Sequence, residues 1–483
     1  MTTSRTPQPP CGEHGLDAYT LPPEAIEQPP QSLGGALRQI GPGLILAGAI
    51  VGTGELIATT HLGAKVGFAL LWLVIVSCFI KVFVQAELGR HTISSGKTAI
   101  AAFRTLPGPS FLIGWWWVIM MLTTQLQLAA MVGGVGQACH VALPGISDAI
   151  GSVLPAVARQ PVLPWSILAV AATSLLLGTG GYQLVERGTT ALVVLFTFTT
   201  IGCVVLLPAV GHPIALGDVL AGLKFQLPNV DGALAAALAM FGITGVGATE
   251  LVHYPYWCIE KGYARRTGPY DGSAEWVARA RGWVRVMRLD VWVSLAVYTV
   301  ATLAFYVLGA AVLHGRDPAG LPGNVAGMLM ALSHMYAPVL GEFGAKWFIV
   351  VGVFAVLYST LYAATAANTR GLVDFLHVNC GLPFRFPGDR ARWVRLLCMV
   401  FPVIDLGLYL AIRNPVKMVL IGGFMQAMTL PMIAASAVYL RYRRTHPAIA
   451  PGRVWDGFLW LSMTGLFVAA VYGMWDSVMK LMK

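Results

Sequence analysis

Two glutamates stand at the same place in two copies of one short pattern. Val51-Gly52-Thr53-Gly54-Glu55-Leu56-Ile57 is echoed by Val246-Gly247-Ala248-Thr249-Glu250-Leu251-Val252, 195 positions further on. Both copies lie inside long apolar stretches, where an ionisable side chain costs at least roughly 2.5–3.5 kcal/mol on insertion scales and therefore needs a function or a partner. His253 follows Glu250 at i+3 on one face of a helical turn, the Glu-x-x-His spacing that metal sites in helix bundles use. Two carboxylates, one imidazole and freed backbone carbonyls would make an oxygen-rich cation site, suited to hard ions such as Mg²⁺, Ca²⁺ or Mn²⁺ over thiophilic ones. The same carboxylates also suit a structural part, in which each one, protonated or not, bonds the unwound amides of its own helix and binds no cargo.

Such residues need helices that break at the right depth. Gly48, Gly52 and Gly54 in one copy, and Gly242, Gly245 and Gly247 in the other, lower the cost of unwinding. Small residues also let helices pack closely, which is the other use of such clusters. Unwound backbone at membrane depth survives only where it lines a cavity or is buried in protein. Apolar segments fall near 42–62, 66–88, 111–141, 163–180, 188–210, 232–259, 289–313, 344–368, 394–412, 416–440 and 454–478, long enough for about eleven transmembrane helices. A shorter apolar piece near 324–338 is expected at the surface.

Spans one to five and six to ten form two halves. An odd number of spans per half reverses the direction of the sixth against the first, so the repeat is inverted. Paired glycine-interrupted spans in such halves mark a midplane binding site. The expected organisation is a tail over 1–36, then one transmembrane domain over 37–483, with repeat one at 40–210, repeat two at 232–440 and an extra helix at 454–478.

Composition supports this and excludes much else. The chain of 483 residues is 56% hydrophobic and 11% charged, against roughly 45–50% and about 25% in soluble domains. Its net charge of +10 sits in alternate connectors, with no aromatic-interleaved basic face for nucleic acid. Arg265, Arg266, Arg279, Arg281, Arg285, Arg385, Arg390, Arg392, Arg441, Arg443 and Arg444 crowd one set of loops. Lys65, Arg159, Lys224, Arg316, Lys346, Arg413 and Lys417 are scattered over the other. That bias places the N-terminus in the cytoplasm and the C-terminus outside.

The connector 260–288 is expected to hold a short amphipathic helix lying along the membrane face. Residues 1–36 are rich in proline and polar groups, unlike a cleaved signal peptide, and read as disordered. A bacterial inner membrane is the expected location, with lipid as the surroundings. The seven cysteines form no CxxC pair and imply neither a disulfide framework nor a zinc site. No nucleotide, serine-hydrolase or zinc-protease motif is present, so catalysis, a cofactor and ATP-driven pumping are not expected.

Other buried ionisable groups have plainer expectations. Lys81 and Glu87 are expected to snorkel to the inner surface. Asp290 and Asp374 are expected to pair with arginines near span ends. Asp405 reads as a structural partner or an ion-path residue, and Asn368 and Gln426 as interhelical glue.

The stretch Ile40-Gly41-Pro42-Gly43-Leu44 through Gly52-Thr53-Gly54-Glu55 and on to Leu62-Gly63-Ala64-Lys65-Val66-Gly67-Phe68-Ala69-Leu70-Leu71-Trp72 resembles the first two helices of the Nramp family of divalent-metal transporters. Gly247-Ala248-Thr249-Glu250-Leu251-Val252-His253 is similar to that family's GAT-x-MPH segment. The likeness covers roughly 38–440. It implies an all-α polytopic protein with a LeuT-type 5+5 inverted repeat, broken helices 1 and 6, and a further C-terminal helix.

It also implies ligands, and here the chain departs. The family's metal-binding Asp is Gly52, and the motif's Pro and Asn are Thr53 and Glu55. The metal-binding Met is Leu251, the Pro is Val252, and the His is kept as His253. Carbonyl donors would fall at Ala49 and Ala248. Aligning Leu128-Ala129-Ala130-Met131 with the family's AAM stretch puts Gln127, Gly134 and Gln137 where proton-route acids would stand. The loss of the soft thioether is comparable to Nramp-related magnesium transporters.

The sequence thus points to a monomeric secondary transporter of a small divalent cation, working by alternating access without the family's usual proton route. Glu55, Glu250, His253, Ala49 and Ala248 would hold the cation as cargo, with Gly52, Thr53, Gly54, Thr249 and Leu251 around it; His253 serves as a ligand or as a proton-linked neighbour. Carriage of a non-metal solute, and a transport-inactive receptor or scaffold, stay open beside it.

Overall fold

A computed structural model describes residues 19–43, 52, 54–179, 182–314, 320–386 and 388–481. The described residues are helical and contain no strand. Among the described residues, nine helical runs are long and apolar enough to cross a membrane, with a shorter apolar helix, Leu163–Thr179, beside them. One of the nine, Gly54–Ser95, carries the end of the sequence's first span and all of its second in a single run. It opens on a π-helical stretch over Gly54–Thr59.

The elements that matter here are α1 (Leu33–Gln39), α2 (Thr60–Val66), α3 (Leu71–Ser95), α4 (Phe111–Ala142), α5 (Leu163–Thr179) and α6 (Tyr182–Leu206) in the first half. The second half supplies α7 (Ala233–Ile243), α8 (Ala248–Glu260), α9 (Ala274–Leu308), α10 (Val325–Cys380), α11 (Asp389–Ile412) and α12 (Pro415–Arg443), and α13 (Arg453–Leu481) follows. Packing is densest where α4 meets α10 and α12, and where α12 meets α7. The α7–α12 approach depends on glycine: a Cβ on Gly242 would run into the Gly423 carbonyl, and one on Gly423 into the Ala239 carbonyl.

Two expectations about connectors change. The connector 260–288 does not lie flat as a separate helix, because α9 runs unbroken for 35 residues. At about 1.5 Å per residue that length exceeds the roughly 30 Å hydrocarbon core, so one end stands clear of the membrane. There it buries Trp276, Trp283 and Met287 against the chain rather than against lipid.

The covering chain is the N-terminal segment itself. Residues 19–36, expected to belong to a disordered tail, are packed across this end of the bundle. Glu27 N–H donates to Arg266 O at 3.0 Å, Trp283 Nε1 donates to Glu27 O at 3.1 Å, and Tyr19 OH donates to Glu260 at 3.3 Å. The prolines that suggested disorder serve as stiff apolar contacts, Pro29 fitting against Gly282.

The apolar piece near 324–338 is the first part of α10, cut off from the span that follows by a non-helical Gly341 (φ 70°, ψ 163°). It buries Met328, Leu332, Met335 and Tyr336 and leaves Met330 exposed.

Candidate functional site

The sixth span is broken where its glycines predict. Helix α7 ends at Ile243, Thr244 turns extended (ψ 150°) and α8 restarts at Ala248. Gly245 takes φ +64°, a left-handed conformation that costs glycine nothing and other residues about 1–2 kcal/mol. The matching break expected in the first span falls on 44–51 and 53, which, with Ala49 and Thr53, lie outside the described residues.

Glu55 is fully buried. Its Oε1 accepts from Thr302 Oγ1 of α9 at 3.0 Å, and its carboxylate lies against the amide of Gly245 in the α7–α8 break. Its Oε2 is buried with no hydrogen-bond partner among the described residues. The two motif copies thus meet, since Glu55 from one reaches the broken backbone of the other and interacts electrostatically with Glu250.

Glu250, half-buried in the first turn of α8, accepts from Thr249 Oγ1 at 2.8 Å. A negative charge is favoured at a helix N-terminus, which is where the break places it. Thr249 N–H donates to Gln426 Oε1 at 3.2 Å, and Thr249 Oγ1 lies 3.1 Å from the same oxygen. Gln426 Nε2 donates in turn to Gln127 Oε1 at 3.1 Å, and Gln127 Nε2 to Val419 O at 3.3 Å. An amide relay therefore fixes the start of α8 to α12 and α4, so the expectation of glue at Gln426 is met with the break itself as one of the parts joined. Gly52 packs against Thr360 of α10, and Gly54 against Ile243, the last residue of α7.

His253 sits apart from the carboxylates. It is buried with Nε2 unpartnered, and the charge that reaches it is that of Arg370. Among the described residues no three His, Cys, Asp or Glu side chains gather into a group able to hold a metal ion. Leu251 and Ala248 are fully buried. Ala248 opens α8, where a carbonyl points along the helix toward its own i+4 amide. The free carbonyls of the break belong to the end of α7 instead.

A residue misplaced by sequence reasoning takes those carbonyls. Lys81 does not snorkel to the surface: it is fully buried, and its Nζ donates to Phe241 O at 2.7 Å and to Thr244 O at 2.5 Å. The only signal in the sequence was its place inside the apolar segment 66–88.

Glu87 is likewise buried, held by Arg90 at 3.2 Å and by Trp455 Nε1 at 2.7 Å. Asp374 pairs with Arg390 at 3.2 Å as expected. Asp290 departs from expectation, because its partners are the amides of Gly41 and Gly43 at 2.8 and 2.6 Å and Tyr254 OH at 3.0 Å. Asp405 is buried with both oxygens unpartnered among the described residues.

With this geometry in view, likeness to known proteins decides the family. The Nramp family, described as natural resistance-associated macrophage protein-like, matches residues 43–476. The chain belongs to the Nramp family. Its relatives include an uncharacterised protein of Pasteurella multocida, 24% identical over 88% of this chain and 89% of that one. Another is the divalent metal cation transporter MntH 1 of Pseudomonas aeruginosa, 24% identical over 70% and 69%.

Among solved structures, the Eremococcus coleocola manganese transporter (mutant H236A) shares the fold, with a TM-score of 0.65 at 17% identity over 93% of this chain and 88% of that one. The nucleobase-cation-symport-1 family transporter Mhp1 follows at a TM-score of 0.52 and 16% identity over 90% and 91%. Nramp proteins are transporters rather than enzymes.

Proposed function

We propose that this Nramp protein moves a divalent metal cation across the membrane by alternating access, with Glu55 and Glu250 as the carboxylate ligands. The observation that carries the reading is the meeting of these two acids at one helix break, with a buried Glu55 oxygen left unpartnered among the described residues. Such an orphaned oxygen is costly unless a proton or a cation completes it. Family membership and the named activity of the MntH relatives support the same cargo.

Leu251 offers no thioether, so the oxygen-rich pair suits Mg²⁺ or Mn²⁺ over softer ions. Ala49 stays the candidate carbonyl donor of the first span, whereas the Ala248 carbonyl is committed to the first turn of α8. His253, one turn along α8, acts as a neighbour of the site more than as a ligand. Gln127, Gly134 and Gln137 supply no titratable group, so transport is driven without the family's usual proton route. The chain works as a monomer in a bacterial inner membrane, N-terminus inside and C-terminus outside.

Glu55→Gln and Glu250→Gln should each weaken Mn²⁺ and Mg²⁺ binding by at least about tenfold in calorimetry on the purified protein. Wild-type affinity in both variants would overturn the assignment.

One observation favours a second reading, carriage of an anionic or zwitterionic solute. A cavity of about 570 Å³ is lined by His61, Lys65, Asn414 and Lys417, a positive approach that a free cation would avoid. Proteoliposome flux with Mn²⁺ and Mg²⁺ set against organic acids and amino acids separates the two.

A further inference from the structure

The end of α7 already holds a cation, and the chain supplies it. The C-terminal end of a helix presents unpaired carbonyls and a partial negative charge. In transporters with discontinuous helices, such ends and the unwound backbone beyond them hold a coupling ion. Here Lys81 Nζ fills that cup from α3, bonded to Phe241 O and Thr244 O at 2.7 and 2.5 Å and lying 5.3 Å from the centre of the Phe241 ring. Ser77, one turn before it on α3, adds a hydroxyl donor to Phe241 O at 3.4 Å.

The ammonium reaches both Glu250 and Glu55 electrostatically across the break, with Cys78 as the other titratable group beside it. A fully buried ammonium is expensive, and an apolar side chain of similar volume would fill the space at lower cost if packing were the only need. Lysine at this point therefore acts through its charge.

We propose that Lys81 is a tethered cation that occupies the carbonyl cup at the end of α7 in place of a dissociable ion and sets the charge that the Glu55–Glu250 pair offers to cargo. Two consequences follow. The cup holds no exchangeable sodium or potassium, so transport is indifferent to those ions at this position. The pair faces cargo with one of its two charges offset, which weakens cation binding and eases release. The second consequence rests on the carboxylate reading above; the first does not.

The test uses the purified full chain and the variants Lys81→Ala and Lys81→Gln. Thermal unfolding midpoints are compared in sodium, potassium, methylammonium and choline chloride at one ionic strength, choline being too large for the cup. Wild type should be indifferent to the salt. Lys81→Ala should unfold early in choline and recover, saturably, in sodium or methylammonium. If it folds only when purified in methylammonium, that too is the expected rescue.

Lys81→Gln keeps a hydrogen-bond donor for the carbonyls and removes the charge. It should bind Mn²⁺ or Mg²⁺ on the order of tenfold more tightly in calorimetry. A Lys81→Ala protein unmoved by any small cation, or not recovered by one, overturns the tethered-cation assignment. Unchanged or weaker metal binding by Lys81→Gln overturns its role in setting the charge. If Lys81→Ala gains cation dependence while Glu55→Gln and Glu250→Gln bind metal normally, only the carboxylate assignment falls.

Discussion

At the scale of single residues, the site is held by contacts too close to admit a methyl group. A Cβ on Gly247 would strike the Glu250 carboxylate and come within 2.7 Å of Gln426 Oε1. The two nearest are movable side-chain atoms and the Gly242 carbonyl stands further off at 3.1 Å, so Gly247→Ala should leave the fold intact while pushing Glu250 off the break and loosening its Gln426 support. Cation affinity should drop several-fold in calorimetry, with an unfolding midpoint close to wild type. Gly242→Ala meets backbone instead, the Gly423 carbonyl and the Ala427 amide. It should cost about 1–3 kcal/mol of stability, read as a lower denaturant midpoint. Equal effects of the two substitutions on binding and on stability would argue against a carboxylate poised at Gly247. The glutamates themselves were legible in the sequence because the repeat put them in register. Lys81 was not: its partners lie 160 and 163 positions away, and depth within a span says nothing about which neighbour the side chain faces.

At the scale of elements, the carboxylate of Asp290 joins three helices. It accepts the Gly41 and Gly43 amides at the opening of the first span, and the Tyr254 hydroxyl from α8, while standing on α9. The opening of the first span and the second half of the sixth span are thereby tied to one point. Asp290→Asn turns an amide donor toward backbone donors and should destabilise the protein by ~2 kcal/mol, seen as a lower denaturant midpoint; a midpoint unchanged from wild type would mean that the first span is held elsewhere. The spans were legible because twenty apolar residues in a row leave little choice. The ends were less so. An amphipathic stretch such as 274–288 has the same pattern whether its apolar face meets lipid, as expected, or meets a folded segment such as residues 19–36, as found. The prolines of that segment carry the composition of a tail, and only long-range partners such as Arg266, Trp283 and Glu260 show it to be packed. Asp290 was expected to meet an arginine for a similar reason, since charge spacing along the chain cannot reveal that backbone amides from the first span satisfy it.

At the scale of the whole molecule, the two ends of the bundle differ. One is closed by the N-terminal segment, with Arg266 paired to Glu27 at 3.3 Å and Arg390 stacked 4.1 Å from the Tyr19 ring. The other holds the cavity beside α2 and α7, lined by His61, Lys65, Asn414 and Lys417. On the proposed orientation that cavity faces outward, and a cargo entering by it would pass two lysines. Long-range charge at such a mouth changes capture rates by tenfold or more at low ionic strength and fades once the Debye length falls below about 10 Å. Replacing both Lys65 and Lys417 by Gln should therefore speed Mn²⁺ capture several-fold in proteoliposomes at low salt, with the gain disappearing near 0.5 M salt. An anionic cargo would show the opposite sign, slower capture in the double variant. Measured beside Lys81→Gln, the pair of lysines also separates approach from binding: the outer charges act on the rate of arrival and depend on salt, whereas the buried ammonium acts on affinity and is screened far less.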